Sequence, residues 1–336
     1  MKMLYLLALS LLLTGCANAQ SEIVSTKLDV VGNSLPSIRH ITEMKVFGDT
    51  LLFVYDSEGG YGQRYLRRAV IDLDNNKLEI SSDMGKREGG YYVSYMPYPF
   101  IASDGTIRVV SQDDCGIYTV ESDTAFVRTK QYLMGTNCPP PLPLSQYVQD
   151  VFMTAPDKYV FIGREPNGGR QYSMTADLTL ARIDTIKQVY ITPELQTWMP
   201  NMGEMAYSEK YNYLAFAYKL HPTIEIFGKD GSVINNVKVA EPTFDFATLE
   251  EADFEDLNPL HFVDITTNDY IYALYWGYKF SQYNSPDANS SIYKIDWEGN
   301  IINQYSLNAH LKNIAVYNND ILIGWTGNEF IVIRLT

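Results

Sequence analysis

The sequence has few cysteines, few histidines and a deficit of positive charge. Three Cys among 336 residues exclude a small fold held together by disulfides. The 26 Lys and Arg are outnumbered by 40 Asp and Glu, which gives a formal charge of −14. A nucleic-acid partner is therefore not expected, because attraction to phosphates supplies most of that binding. No apolar run reaches the roughly 18 residues that a transmembrane helix needs.

Linear signatures of catalysis and metal binding are missing as well. The four histidines are isolated, and there is no His-Glu-x-x-His, Cys-x-x-Cys, Gly-x-Ser-x-Gly or Walker-type motif. Residues 72–76 imitate the start of a calcium loop, but Lys77 stands where that loop needs glycine. We therefore predict no catalytic residue, no metal site and no cofactor. Calcium is left open as an alternative that the sequence does not support.

The N-terminus has the pattern of an export signal. Lys2 precedes an apolar run over residues 4–13, which is long enough for a signal peptide and too short to span a bilayer. The run ends in Leu-Thr-Gly-Cys, which resembles a bacterial lipobox and predicts lipidation of Cys16. Residues 1–15 are then the signal peptide, and residues 16–21 form a tether.

The acyl chains would be the only membrane attachment of the mature protein. Ala17, rather than Asp, follows the cysteine and predicts sorting to the outer membrane, with the side of the membrane left open. A second cleavage site also remains open. Ala-Asn-Ala over residues 17–19 matches a signal-peptidase sequence, which would release a soluble periplasmic protein. In either case the protein is predicted to be exported to the cell envelope.

Two cysteines remain after the predicted cleavage. In an oxidising compartment, Cys115 and Cys138 could form a disulfide across a loop of about 24 residues, which would stabilise the fold by roughly 3 kcal/mol. Two separate buried thiols are the alternative. The sequence leaves this pairing open.

One unit recurs six times along the chain. It consists of an apolar strand, a short polar turn and a strand rich in aromatic and β-branched residues, and the turns lie about 54 residues apart. The copies begin at Met44, Phe100, Val151, Met205, Val263 and Ile314. A second hairpin follows each of the first five, clearly from Ala69, Ile224 and Ile292 and weakly from Ile117 and Leu180. Asn-Asn, Asp-Gly and Glu-Gly supply the positive φ of the clear turns.

This repeat predicts an all-β, six-bladed β-propeller with four antiparallel strands per blade. The sixth copy stops before its outer strand, whereas the alternating segment over residues 22–31 belongs to no copy. We expect this segment to complete the last blade, because closing the ring removes an exposed sheet edge. Residues 22–336 are then a single domain, which we predict to be monomeric.

The fourth and fifth units carry a family resemblance. The sequences G-E-M-A-Y-S-E-K-Y-N-Y-L-A-F-A-Y from Gly203 and D-Y-I-Y-A-L-Y-W-G from Asp269 are similar to those of TolB-like six-bladed propeller lipoproteins of Bacteroidetes-type bacteria. The resemblance extends over nearly the whole mature chain. It implies the propeller architecture and an envelope location, and it supplies no catalytic set, because the shared motifs form blades.

Ligands of propellers bind to the loops between blades and between the second and third strands of each blade. Here those loops are rich in Tyr, Trp and Arg, whose flat faces stack on sugars or peptide side chains. Tyrosine is equally suited to packing within strands, so each assignment has a structural alternative. The predicted ligand-binding residues are Arg64, Tyr65, Arg87, Tyr91, Tyr92, Arg170, Tyr172, Trp198, His221, His261, Trp276 and Tyr278.

These features favour a non-catalytic, envelope-anchored binding or scaffold module for a glycan, a peptide or an envelope protein. The alternative is a propeller hydrolase, lactonase-like or glycan-cleaving, with carboxylates and histidines at the mouth of the axial channel. A purely structural subunit of an envelope complex is a third hypothesis. The acidic run over residues 245–256 is predicted to be a solvated connection, with calcium or a basic partner as its alternatives.

Overall fold

The computed structural model describes a large part of the predicted propeller. The described residues are 23–32, 38–57, 64–84, 97–102, 104–111, 116–122, 125–131, 148–165, 169–180, 182–191, 193, 195–245, 247–248, 254–282, 285 and 288–335. The signal peptide, Cys16, Cys115, Cys138, Arg87, Tyr91 and Tyr92 lie outside these residues. The predictions made for them therefore remain predictions.

The first strands belong to the N-terminal segment and to blades one to three. The N-terminal segment forms β1 (Ile23–Lys27) and β2 (Asp29–Gly32). Blade one contains β3 (Ile38–Phe47), β4 (Thr50–Ser57), β5 (Arg64–Asp72) and β6 (Lys77–Met84). Blade two contains β7 (Pro97–Ile101), β8 (Ile107–Ser111), β9 (Gly116–Ser122) and β10 (Ala125–Gln131). Blade three contains β11 (Val148–Ala155), β12 (Lys158–Arg164), β13 (Gln171–Asp177) and β14 (Arg182–Gln188).

Blades four to six follow the same order. Blade four contains β15 (Gly203–Ser208), β16 (Tyr213–Tyr218), β17 (Thr223–Gly228) and β18 (Val233–Lys238). Blade five contains β19 (Pro259–Thr267), β20 (Ile271–Lys279), β21 (Ser291–Ile295) and β22 (Ile301–Ser306). Blade six contains β23 (Asn313–Asn318), β24 (Ile321–Trp325) and β25 (Phe330–Leu335). Short 3₁₀ turns occur at Met199–Asn201 and Phe280–Gln282, and one helical turn, α1, at Phe254–Leu257.

The six sheets form a closed ring. Each innermost strand contacts the innermost strand of the next blade, and β23 of blade six contacts β3 of blade one. Apolar faces of neighbouring blades pack together. For example, Phe53 of blade one lies 5.4 Å from Phe330 of blade six, between ring centroids. The six-bladed propeller and the six predicted first hairpins are confirmed.

The N-terminal segment closes the ring in a way that differs from the prediction. β1 pairs antiparallel with β25 and completes blade six, as expected. β2, however, pairs in parallel with β6, so blade one has a fifth strand. Leu28 lies between the two strands, is fully buried, and donates its backbone N–H to Phe330. One segment thus joins the first and last blades.

Blade three corrects a strand assignment. The sequence placed its second hairpin from Leu180 onwards, but that segment supplies only the outer strand β14. The third strand is β13, which contains Tyr172, a residue predicted to lie in a loop. Every residue of β13 is at least partly buried, so its mixed polar and apolar composition concealed a strand that packs on both faces.

The positive-φ turns are confirmed at Asn76, Gly231 and Gly299. Asp72 lies in the first of these hairpins and accepts a hydrogen bond from the backbone N–H of Asn75, so the calcium-like residues form a turn. In the part of the chain that the structure describes, no helix is long and apolar enough to cross a membrane.

Candidate functional site

A cavity of about 700 Å³ opens at one end of the axial channel. We call this end the upper face. It is formed by the starts of the innermost strands and the loops between second and third strands. Described residues of blades one, three, four, five and six line the cavity. They are His40, Ile41, Thr42, Gln149, Arg164, Trp198, Met202, Gly203, Glu204, Lys219, Asp256, Leu260, Phe262, Val263, Trp276, Phe280, Lys312 and Asn313.

Three aromatic side chains of the cavity lie on loops or strand ends. Trp276 stacks on Tyr278 with an interplanar angle of 6°, and its Nε1 donates to the backbone oxygen of Leu311 at 2.7 Å. Trp198 packs against a small apolar cluster between blades four and five. Phe280 is half exposed at the rim. The first two rings are held in place, and the third is accessible.

Three cationic side chains line the same cavity. The Arg164 guanidinium lies 4.1 Å from the ring centroid of Trp198 and donates to the side-chain oxygens of Gln149 and Gln171. Lys219 and Lys312 are fixed through their backbones. The N–H of Lys219 donates to Met202, and the N–H of Lys312 donates to Trp325, both at 2.7 Å. The cavity therefore concentrates positive charge in an acidic protein.

Partly buried carboxyl groups form the floor. Glu204 lines the cavity and is hydrogen-bonded to Asp264 of the next blade. Burial, together with Asp264, Asp150 and Glu43, raises the pKa of Glu204 well above its usual value. Burial also raises the pKa of Asp264 to about 6. Glu204 is therefore the protonated partner that donates to the Asp264 carboxylate.

Deeper in the channel, one lysine lies among these acids. Lys45 Nζ is 3.6 Å from a carboxylate oxygen of Glu43. Burial opposes the charge of Lys45, but the attraction of Glu43, Asp150 and Asp264 outweighs it and raises the lysine pKa. Burial and the charge of Glu43 raise the pKa of Asp150 to about 7. A single cation cannot balance four carboxylates, so part of this cluster holds protons near neutral pH.

A metal site is not formed by these groups. Among the residues that the structure describes, no three His, Cys, Asp or Glu side chains are arranged to hold a metal ion. Asp150 and Asp264 instead accept hydrogen bonds from backbone N–H groups of the following blades. These donors are Met205, at 2.8 Å, and Ile314, at 2.7 Å.

Two of the predicted binding residues, Trp198 and Trp276, line the cavity. Tyr278 lies outside the lining and stacks on Trp276, and its hydroxyl is hydrogen-bonded to His310. These contacts fix the position of the Trp276 ring. His221 and His261 lie inside the fold. The His221 ring bonds to the backbone oxygen of Pro200, and the His261 ring bonds to Tyr275. Both are buried away from the cavity lining.

The remaining described candidates lie outside the lining. Arg64 forms an ion pair with Asp56 at 3.3 Å, and Tyr65 stacks on Tyr55. Tyr172 donates its hydroxyl to Glu165 at 2.8 Å. Arg170 is exposed and donates its backbone N–H to the same glutamate. Their role in ligand binding remains a prediction.

Sequence reasoning missed the cations and the floor of the cavity. Lys219, Lys312, Glu204 and Asn313 stand at the starts of innermost strands or at the ends of second strands. In these positions the strand pattern predicts apolar core. Alignment of the six copies by their turns would have shown polar residues recurring there. The acidic run also contributes more than a solvated connection, since Asp256 of α1 lines the cavity.

Comparisons with known proteins agree with the fold. Residues 193–319 match the family described as TolB-like 6-blade propeller-like, which confirms the resemblance for blades four, five and part of six. A comparison with curated protein sequences finds no match.

Solved structures from Bacteroides species are similar over nearly the whole chain. A DUF4221 family member from Bacteroides vulgatus has a TM-score of 0.60 and 12% identity, and the match covers 95% of this chain and 98% of that one. A Bacteroides fragilis protein described as exported has a TM-score of 0.56 and 9% identity, with coverages of 96% and 97%. A Bacteroides thetaiotaomicron protein of unknown function has a TM-score of 0.52 and 10% identity, with coverages of 94% and 77%.

Proposed function

We propose that this TolB-like six-bladed propeller is a non-catalytic binding module of the cell envelope and that its ligand occupies the upper-face cavity. The ligand is a glycan, a peptide or a segment of an envelope protein. The observation that carries the proposal is the cavity itself, which combines Trp198 and Trp276 with Arg164, Lys219 and Lys312. A volume of about 700 Å³ is in the range of small-ligand sites.

The supporting geometry is that of a rigid receptor. Five blades contribute to the cavity, and strand hydrogen bonds hold the backbone of most of the described lining residues. Met205 and Ile314, immediately after two lining residues, are fixed by carboxylates of the preceding blades. A site built in this way loses little conformational entropy on binding, which favours affinity.

A hydrolase is the second candidate, and one observation favours it. Glu204 lies in the cavity with a raised pKa and an adjacent carboxylate, Asp264, which is the arrangement that a general acid needs. Both carboxyls also satisfy structural roles between blades. The two hypotheses differ in whether the protein cleaves the bound ligand.

Export and lipidation belong to the same proposal. The similar Bacteroides fragilis protein is described as exported. In this chain Ile23 pairs with Leu335, whose N–H donates to Asp320 in the turn at the lower face, opposite the cavity. A lipid on Cys16 would lie at most about 25 Å of extended chain from Ile23. The anchor would then hold the lower face towards the membrane and leave the cavity accessible.

The test is an array screen of glycans and peptides with the mature protein. We expect binding to one class and recovery of the ligand intact after prolonged incubation, as measured by mass spectrometry. Absence of any ligand would contradict the proposal. A cleaved ligand, with cleavage abolished by Glu204→Gln, would establish the second candidate in its place.

A further inference from the structure

Among the described lining residues of the cavity, cations outnumber carboxyl groups. The cations are Arg164, Lys219 and Lys312. Of the two acidic residues in the described part of the lining, Asp256 is exposed at the rim and Glu204 is on the floor. Burial and the neighbouring carboxylates raise the pKa of Glu204, which favours its neutral form. The described lining therefore brings three cations together in a protein whose formal charge is −14.

The positive charge of the cavity lining favours ligands that carry a negative charge. A neutral sugar carries no charge that these cations can attract. A cation and an anion in contact attract each other more strongly where the local dielectric constant is lower than that of water. The cavity is therefore matched to a ligand with a carboxylate or sulfate group.

The aromatic residues add a flat, partly apolar component. Trp198 and Trp276 border the cavity, and Phe280 stands at the rim with 51% of its surface exposed. Rings in such positions pack against the C–H face of a pyranose.

Asn313 supplies an independent indication. It is 6% exposed, lies in the cavity lining beside Lys312, and its Oδ1 accepts no hydrogen bond from the described residues. A buried amide oxygen that accepts no hydrogen bond costs free energy, and such groups in native proteins commonly mark functional sites. Rotation of the amide about χ2 can present either the donor or the acceptor to a ligand hydroxyl.

We propose that the cavity binds an anionic pyranoside, with the acidic group held by Arg164, Lys219 and Lys312 and the ring packed against Trp198 and Trp276. This inference rests on the proposed function and narrows its ligand to one chemical class. The acidic group is a carboxylate, as in a uronic acid, or a sulfate ester, and the experiment separates these two.

The experiment is calorimetric titration of the mature protein with three probes. They are methyl β-D-glucuronide, methyl β-D-glucoside 6-sulfate and uncharged methyl β-D-glucoside. We expect one anionic probe to bind at least about tenfold more tightly than the neutral one, and the tighter of the two identifies the acidic group. Lys219→Met and Lys312→Met should remove most of this preference. Lys238→Met, on the exposed end of β18, is the matched control.

Asn313→Leu distinguishes a role of Asn313 in ligand binding from a purely structural role. It should weaken binding of the preferred probe several-fold while the melting temperature stays the same or rises, because a buried amide oxygen without a hydrogen-bond partner is removed. Equal affinity for the three glycosides overturns the inference and leaves the proposed function intact. A peptide ligand that the anionic glycosides do not displace has the same consequence. If neither glycans nor peptides bind, both proposals fail.

Discussion

The carboxylate of Asp150 accepts a hydrogen bond at 2.8 Å from the backbone N–H of Met205 in the next blade. Asp264 repeats this contact with Ile314, at 2.7 Å. Both acids also belong to the proton-holding cluster around Lys45. The two carboxyl groups that connect the blades therefore ionise less readily than ordinary aspartates, so stability should depend on pH.

The first prediction concerns Asp150. Burial and Glu43 raise its pKa to about 7, whereas the unfolded carboxyl ionises near pH 4. The unfolded state thus binds fewer protons between these values, and this residue's contribution to stability is lost as pH rises from about 4 to 7. Asp150→Asn should raise the free energy of unfolding at pH 8 by about 1–3 kcal/mol more than it does at pH 5. Urea unfolding measures both, with exposed Asp184→Asn as the control.

Two buried histidines should give the free energy of unfolding the opposite pH dependence in the acid range. Burial lowers the pKa of His221 and of His261 to about 4, below the unfolded value of about 6.5. The unfolded chain takes up protons first, so stability falls as pH decreases from 6.5 to 4. The double variant His221→Gln/His261→Gln should have a shallower decrease in unfolding free energy between pH 7 and pH 4.5. An unchanged slope would show that these rings do not carry the acid sensitivity.

The ring closure depends on Leu28, which is fully buried between β1 and β2. Leu28→Ala should lower the free energy of unfolding by about 3 kcal/mol, because the cavity cannot collapse between two blades. Val30→Ala, on the exposed side of β2, should cost about 0.5 kcal/mol or less. Similar losses for the two variants would contradict the role of this segment as a closure.

Gly203 permits the close approach of β15 and β16 at the cavity wall. A Cβ on this residue would lie 2.2 Å from the backbone oxygen of Ala217 and 2.6 Å from the ring of Phe216. Gly203→Ala should therefore destabilise by about 3 kcal/mol and weaken ligand binding. Gly48→Ala has no heavy atom within 4 Å of the new Cβ and should cost about 1 kcal/mol for its positive φ. Thermal unfolding of the two glycine variants measures both losses of stability.

The proposed anchor makes a prediction of its own. Expression in a bacterial host with an alkynyl fatty acid should label the wild-type protein in the membrane fraction. Cys16→Ala should abolish the label and move the protein to the soluble envelope fraction. A wild-type protein that carries no label and lies in the soluble fraction would favour cleavage after Ala19 without lipidation at Cys16, and labelling that persists in the variant would contradict Cys16 as the acylated residue.

Much of the fold follows from local pattern. Hairpins such as the one closed by Asn76 can be predicted from their turn residues, because few residues tolerate positive φ. β2 was missed as a separate strand because its partner, β6, lies about 45 residues away and no local turn marks a parallel pairing. β13 was missed because it is buried on both faces and lacks alternation.

The candidate site was accessible to sequence reasoning only in part. Trp198 and Trp276 were found from loop composition. Lys219 and Lys312 come from different blades, and only the closed ring brings them to one cavity. Their proximity depends on the tertiary structure, and a single sequence contains no spacing that encodes it.

The most direct test of the central claim is the affinity of the strongest array ligand for a cavity variant. Lys219→Met/Phe280→Ala changes one lining cation and one rim aromatic. Lys238→Met/Tyr211→Ala is the matched pair, at exposed positions outside the cavity lining. We predict that the cavity variant binds at least about tenfold more weakly with unchanged thermal unfolding, while the control keeps wild-type affinity. Equal affinity of the cavity variant and the wild-type protein would contradict the account.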